Sequence, residues 1–148
     1  MWKYMSCDFE NISLHDYSID EILLDDNDIL LVFDDGFHVA ETHPLNDTGK
    51  SKHTTTSQII LRSANFIKGT IYHWRWQEKK SRSEKIELMW LINSFRGFSI
   101  LQFEAENGAF SLHGDMYLYE PEFKQEYAEI KFSCSDAVFC WNDYSSDA

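Results

Sequence analysis

Proline, glycine and pairable cysteines are scarce in this chain of 148 residues. Two prolines and six glycines are too few for a low-complexity segment or a long flexible linker. The three cysteines, Cys7, Cys134 and Cys140, are an odd number, and residues 1–13 lack the cationic start and apolar core of a signal peptide. We therefore expect free thiols in a reducing compartment, and the predicted location is the cytoplasm.

Long apolar runs and catalytic motifs are also missing. The longest apolar runs span about five residues, far short of the roughly 20 that a membrane-spanning helix needs. No glycine-rich phosphate loop, nucleophile elbow or dinucleotide fingerprint occurs. The histidines lack the spacing of a preorganised zinc site; they are His15, His38, His43, His53, His73 and His113. The sequence therefore predicts no enzymatic activity, no cofactor, no metal and no membrane contact.

Apolar and aromatic side chains, by contrast, are plentiful. Hydrophobic residues make up 43% of the chain and aromatic residues 16%. A chain of this length buries about 70% of the surface of its unfolded state, so it can form a core without disulfides or metals. We expect a single domain that covers residues 1–148.

Charge is distributed unevenly along the chain, which has a net charge of −12. Residues 1–49 carry one basic and twelve acidic side chains, residues 50–96 carry ten basic and three acidic, and residues 97–148 carry two basic and ten acidic. Either the basic middle folds against the acidic ends and cancels them, or an acidic face stays open and attracts a basic protein partner. Nucleic acid is disfavoured as a partner because phosphate binding needs surplus cations.

The first third of the chain has the pattern of short strands separated by acidic turns. Strands are predicted at 17–24, 29–33 and 37–40. The first turn contains Asp25, Asp26 and Asp28, and the second contains Asp34 and Asp35. Asp35 is followed by a glycine, and this pair predicts a tight hairpin between the second and third strands.

The middle of the chain combines a polar loop, two strands and a helix. Residues 42–57 have no apolar period and are predicted to be a mobile loop. Strands are expected at 58–63 and 65–77, or one long strand bent at Gly69. A helix is predicted from Ser81 to Phe95, because its apolar residues recur at intervals of three and four residues. The pattern Ser81-x-x-Glu84 also matches a capping box.

The last third is predicted to be antiparallel sheet. Strands 98–106 and 109–119 flank an Asn-Gly turn, the strongest short hairpin signal. Residues 127–134 alternate between apolar and polar as in a half-buried strand, 137–141 form a further strand, and 143–148 are expected to fray. The fold class is therefore α+β: mainly antiparallel β-sheet, as a curved sheet or barrel-like sandwich, with one packed helix.

Two sets of residues are candidates for binding. The aspartates Asp25, Asp26 and Asp28 lack the ligand order of a calcium loop, so we interpret them, with Asp34 and Asp35, as solvated turns or contacts to a protein partner. Trp74 and Trp76 share one face of a strand with Tyr72. They pack either in the core under the helix or on an exposed ridge, which could recognise a partner or form a homodimer.

Residues 12–39 contain the pattern I-x-L-H-D-x-x-I-x-x-I, then an acidic turn and LLVFDDGF. This pattern resembles a recurring opening among small bacterial proteins, several of which are assigned to immunity-protein families of polymorphic toxin systems. The segment KIELMWLINS followed by the Asn-Gly hairpin is similar to the layout of the same group. The resemblance implies a cytosolic protein that binds and blocks a toxin, and it identifies no functional residue.

Three hypotheses about function follow from the sequence. The first is a non-enzymatic, immunity-type inhibitor that presents its acidic turns and aromatic residues to a basic toxin. The alternative is a carrier of a small ligand or lipid, which requires an aromatic pocket of about 300 Å³ or more. A hydrolase would require His15, Asp16, His38 or His113 to converge within hydrogen-bond reach in a cleft.

Overall fold

A computed structural model describes residues 1–75, 80–106, 108–119 and 122–145. These residues form three antiparallel sheets and one helix. In chain order the elements are β1 (Tyr4–Ser6), β2 (Ile12–Ser13), β3 (Ser18–Ile19), β4 (Glu21–Asp25), β5 (Asp28–Phe33), β6 (His38–Val39), β7 (Lys52–His53), β8 (Ser57–Arg62), β9 (Asn65–Arg75), β10 (Lys80–Lys85), α1 (Leu88–Ser94), β11 (Phe95–Glu106), β12 (Ala109–Tyr119), β13 (Phe123–Ser133) and β14 (Asp136–Trp141). The predicted fold class, mainly antiparallel β-sheet with one helix, is confirmed.

Two large sheets carry most of the chain. One has five strands in the order β1-β14-β8-β5-β4, and the other has six in the order β10-β9-β13-β12-β11-β3. A small third sheet joins β2, β6 and β7. Within the described part of the chain none of the sheets closes into a barrel, so the sandwich alternative describes the arrangement better than a closed one.

The two large sheets share one apolar core. The ring of Phe103 from the six-stranded sheet lies 6.3 Å from that of Phe139 in the five-stranded sheet. Trp141, which is fully buried, meets Phe37 edge-on and stacks on Tyr4. The core therefore sits between the sheets, with the N-terminal and C-terminal strands side by side at its margin.

Alternation of side chains explains the strands that the sequence predicted best. The β11–β12 hairpin forms as expected, and the four residues assigned to one face of β12 are all buried: Phe110, Leu112, Met116 and Leu118. In β13 the apolar positions 128, 130 and 132 are also fully buried. A period of two places these residues on the core side of the pleat.

The helix begins later than predicted, and the capping box is wrong. Ser81 and Glu84 lie in β10, which pairs with β9, and α1 ends before Phe95 instead of extending to it. The apolar helical period starts only at Ile86, so the preceding polar residues have no apolar face to bury as a helix. They satisfy their backbone groups by pairing with the edge of β9 instead. Glu87 occupies the N-cap position and makes no side-chain capping bond.

The hairpin predicted at Asp35-Gly36 is also wrong. Gly36 does adopt a left-handed conformation (φ +74°), and its N–H donates to the carbonyl of Phe33 at 3.1 Å. However, β6 pairs with β2 and β7, whereas both sides of β5 are occupied by β4 and β8. The turn therefore carries the chain out of one sheet and into another.

Two predicted strands are divided between sheets. The strand predicted at 17–24 breaks at Asp20, because β3 belongs to the six-stranded sheet and β4 to the five-stranded one. Likewise β8 and β9 lie in different sheets and are separated at Ser63, which has a positive φ of 48°. The single bent strand is therefore wrong, and Gly69 serves instead to admit the side chain of Ile86.

The segment 42–57 contains little regular structure but is tied to the domain. It includes β7, and the buried side-chain amide of Asn46 donates to the carbonyls of Val39, Ala40 and Lys50. In the tail, Tyr144 forms an isolated bridge with Thr54, and residues 146–148 lie outside the described part. The mobility of both segments stays a prediction.

No helix among the described residues is long and apolar enough to cross a membrane.

Two glycines with positive φ provide a matched test of the close packing at the sheet crossover. A methyl group at Gly36 would collide with the backbone and side chain of Thr54, whereas Gly49 (φ +78°) has nothing within 4 Å. We expect Gly49→Ala to lower the free energy of unfolding by about 1 kcal/mol, the cost of the left-handed conformation alone. Gly36→Ala should cost about 3 kcal/mol or more, as measured by denaturant unfolding. Equal losses would contradict the packing described at Thr54.

Candidate functional site

The first acidic turn closes the β4–β5 hairpin. Asp25 pairs with Asp28, and Asp26 adopts a left-handed conformation (φ 57°) at the tip. The Oδ1 atom of Asp28 accepts a hydrogen bond of 3.0 Å from the N–H of Ser63. Asp28 therefore also stabilises the crossover from β8 to β9, and an asparagine oxygen could accept the same bond.

The second acidic turn follows the other end of β5. The N–H of Asp34 donates to Oδ2 of Asp20 at 2.7 Å. Burial raises the pKa of the Asp20 carboxyl, this hydrogen bond lowers it, and the negative charges of Asp34 and Asp35 raise it further. Asp20 is thus a third member of this turn. Sequence reasoning missed it because its contacts arise only when the chain changes sheets.

The five predicted aspartates form two separate groups and not one patch. Residues 29–33 of β5 separate Asp28 of the first turn from Asp34 of the second. At about 3.4 Å per residue, these two aspartates are about 20 Å apart. A partner that contacts both turns must therefore span the length of β5.

The acidic turns remain open to solvent. Asp25, Asp26, Asp34 and Asp35 are exposed, and Asp28 is half-buried. Among the described side chains, no lysine or arginine forms an ion pair with any of them. This includes Arg62 and Lys85 of the basic middle segment, while the side chains of Arg75 and Lys79 are not among those described.

Basic residues of the middle segment instead meet acids of β13. Lys68 Nζ lies 3.7 Å from Oε1 of Glu129. Glu126 faces His73 on the neighbouring strand, with its Oε1 atom 3.1 Å from Nδ1 of the ring. The basic middle segment therefore pairs with acidic residues of β13. Among the described residues, it forms no ion pair with the acidic turns of the first third.

His73 lies between two carboxylates in a polar groove of about 600 Å³. Its Nε2 atom is 2.9 Å from Oε2 of Glu84, so both ring nitrogens face an acid. Arg82 and Lys124 line the same groove. These residues come from three different strands, and no spacing in the sequence indicates that they meet.

His73 contacts a carboxylate through each of its ring nitrogens. In a Ser-His-Asp arrangement one nitrogen instead faces a nucleophile. Because both nitrogens of His73 already face carboxylates, the ring is not positioned to activate a hydroxyl or thiol.

The histidines of the hydrolase hypothesis do not converge among the described contacts. His15 Nδ1 lies 3.5 Å from Oδ1 of Asp16, and both side chains are exposed in a turn. His113 Nδ1 is 4.0 Å from Glu129 Oε2, and His38 lies in β6. These groups occupy a turn and two different sheets, so the hydrolase hypothesis gains no support from them.

The aromatic ridge can be placed only in part. Trp74 lies in β9, opposite Ser81 of the edge strand, and its side chain is not among those described. Trp76 lies outside the described residues. Tyr72, the third member, is half-buried and contacts Tyr127 with ring centroids 5.8 Å apart.

The described grooves do not resemble a ligand pocket. Five open grooves of about 190 to 600 Å³ have walls without any tryptophan or tyrosine. No cluster of three or more His, Cys, Asp or Glu side chains in the described part of the chain could hold a metal ion. The carrier hypothesis therefore has no specific geometry in its favour.

The three cysteines are unpaired and differ in exposure. Cys7 is exposed, Cys134 is half-buried and Cys140 is fully buried. Burial raises the pKa of Cys134, and that of Cys140 to about 11. Both thiols are therefore protonated at neutral pH and are poor nucleophiles.

Comparison with known proteins finds no matching family model, no matching curated protein and no matching solved structure.

The buried thiol of Cys140 should make stability depend on alkaline pH. Its pKa rises from about 9 to about 11 on folding, so above pH 9 the unfolded state loses the proton first and stability falls. Between about pH 8 and about pH 10 the loss from this group should be roughly 1 kcal/mol. We expect the free energy of unfolding of the Cys140→Ala variant to fall by that much less over this interval. Parallel pH profiles for both proteins would contradict the assignment.

Proposed function

We propose that the protein binds a partner protein with a basic surface, and that this partner is a toxin that it inhibits. The observation that carries the proposal is the state of the two acidic turns. They are fixed at the ends of one strand, they are open to solvent, and no described lysine or arginine neutralises them. Such charges stabilise the fold little and remain available to another molecule.

The charge distribution supports recognition by steering. An excess of negative charge at defined points raises the rate at which a basic surface arrives, and it disfavours acidic competitors. The two groups of aspartates also define an orientation, because a partner must present cations at two places about 20 Å apart. A protein surface meets this requirement more readily than a small ligand.

The inhibitor assignment depends on the resemblance of residues 12–39 to immunity proteins of polymorphic toxin systems. An immunity protein needs no catalytic group, and the open acidic turns are suited to a basic toxin domain. The bonding of His73 to two carboxylates supports the non-enzymatic interpretation. The product of a toxin gene beside this one is the natural partner to test.

Replacement of the five aspartates tests this function directly. We expect a variant with asparagine at positions 25, 26, 28, 34 and 35 to keep its fold, because an asparagine oxygen at position 28 can still accept the bond from Ser63. Its affinity for the neighbouring toxin domain, carrying an inactivating substitution, should fall roughly tenfold or more at low ionic strength. The measurement is the dissociation constant at low and high salt, where steering is screened.

A matched control removes the same number of charges elsewhere. Five exposed acids outside the turns are Glu41, Asp47, Glu87, Glu106 and Glu122. Changing them to amides gives the same net charge as the first variant, so an effect of total charge would appear in both. Equal losses in the two variants, or an affinity that ionic strength does not change, would refute the proposal.

A further inference from the structure

The outer face of the five-stranded sheet, which points away from the core, carries an apolar row across its middle. Strand register places Leu23, Leu30, Ile60 and Val138 side by side across β4, β5, β8 and β14. We call these four residues the outer row. The neighbouring row contains Glu21, Val32, Gln58, Cys140 and Met5 and is of mixed polarity. Val138 and Cys140 are buried, whereas Leu23 is exposed, so the accessible part of the outer row lies toward β4. The outward face of an antiparallel sheet is usually polar, so an accessible apolar row on it is a candidate docking surface.

Among the described strands, β4 at the margin of this face has a neighbour on one side only. β4 is the end strand of the sheet, and its two central leucines point to opposite faces. Leu23 is 43% exposed and Leu24 is 48% exposed. Exposed apolar side chains on an unpaired edge are the features of a strand that accepts another strand.

Acidic residues bracket the edge at both ends. β4 begins with Glu21 and ends with Asp25, both exposed, and the acidic turns continue beyond each end. A second copy of this chain that paired antiparallel about Leu23 would set Glu21 opposite Asp25 at both ends. Like charges directly opposite are destabilising, so the edge resists pairing with itself. A strand with cations at its ends is complementary.

We propose that the β4 edge and the outer row dock an extended segment of a partner protein. This segment carries apolar side chains in its middle and a lysine or arginine at each end. It adds to the sheet through backbone hydrogen bonds beside β4, and its side chains cover Leu23 and Leu30. The inference rests on the proposed function and specifies how the basic partner is held.

A short peptide serves as the probe. The acetylated peptide Lys-Lys-Val-Thr-Val-Lys-Lys should bind and shift the backbone amide resonances of β4 and β5 in isotope-labelled protein. Its counterpart with Glu in place of Lys should not bind. Leu23→Ser together with Ile60→Thr should weaken binding of the Lys peptide about tenfold, mainly because the first substitution removes the apolar side chain that lies beside the docked peptide.

Control substitutions keep the test specific. Ile67 and Leu101 are 53% and 45% exposed and lie in the other large sheet, so Ile67→Thr and Leu101→Ser remove similar apolar surface away from the docking face. Unchanged binding in this control, with reduced binding in the Leu23 and Ile60 variant, supports the proposal. If the double variant does not fold, the single variant Leu23→Ser is used instead. Leu23 is exposed on the edge strand, so its replacement should disturb the fold little.

Several results would overturn the inference. They are saturable shifts confined to another surface, no saturable shift, equal binding of both peptides, or a dimer in sedimentation that Leu23→Ser dissociates. If toxin binding needs the aspartates but is unchanged by the Leu23 and Ile60 substitutions, the docking face is wrong and the proposed function stands. If the peptide docks at β4 but no toxin depends on the aspartates, the function fails and the docking face remains.

Discussion

The pairing of β5 with β4 on one side and β8 on the other is the constraint on which the rest depends. This register turns Ile29, Leu31 and Phe33 into the core and leaves Leu30 and Val32 on the opposite face. It also sets the two acidic turns at the two ends of one strand. Core, apolar outer face and charged turns are therefore consequences of a single alignment, and a shift by one residue would exchange the faces.

The basic and acidic segments of the sequence occupy different parts of the folded domain. The basic middle segment enters the six-stranded sheet, where Lys68 and His73 meet acids of the adjacent β13. The acidic turns of the first third lie at the two ends of β5, at the β4 margin of the other sheet. Because exposed ion pairs stabilise a fold little, this partition costs the domain little. The β4 margin of the molecule is therefore negatively charged. This charge affects the rate of association with other proteins more than it affects stability.

Local signals predicted the local structure well. The Asn-Gly hairpin and the alternation in β13 depend on neighbours in the chain, so they could be recognised without coordinates. The helix start and the Asp35-Gly36 hairpin failed because distant strands decide them: β9 recruits residues 80–85, and β8 occupies the side of β5 that a hairpin would need. The sequence located the acidic turns, but their separation and the part of Asp20 depend on strand order. The sequence did not predict the outer row. Every residue of the segment ILLVF (29–33) is apolar, so alternation cannot show which side chains face the core.

The position of β14 has a consequence for how the domain assembles. This strand follows all the others in the chain, yet it is inserted between β1 and β8. Until it has left the ribosome, the N-terminal strand has no neighbour, and the cavity that Phe139 and Trp141 fill stays vacant. The pairing of β1 with β14 joins residues that are far apart in the sequence, and such non-local contacts slow folding. The sheet should therefore be completed only after synthesis of the whole domain, and the nascent chain must keep its other strands from aggregating until then.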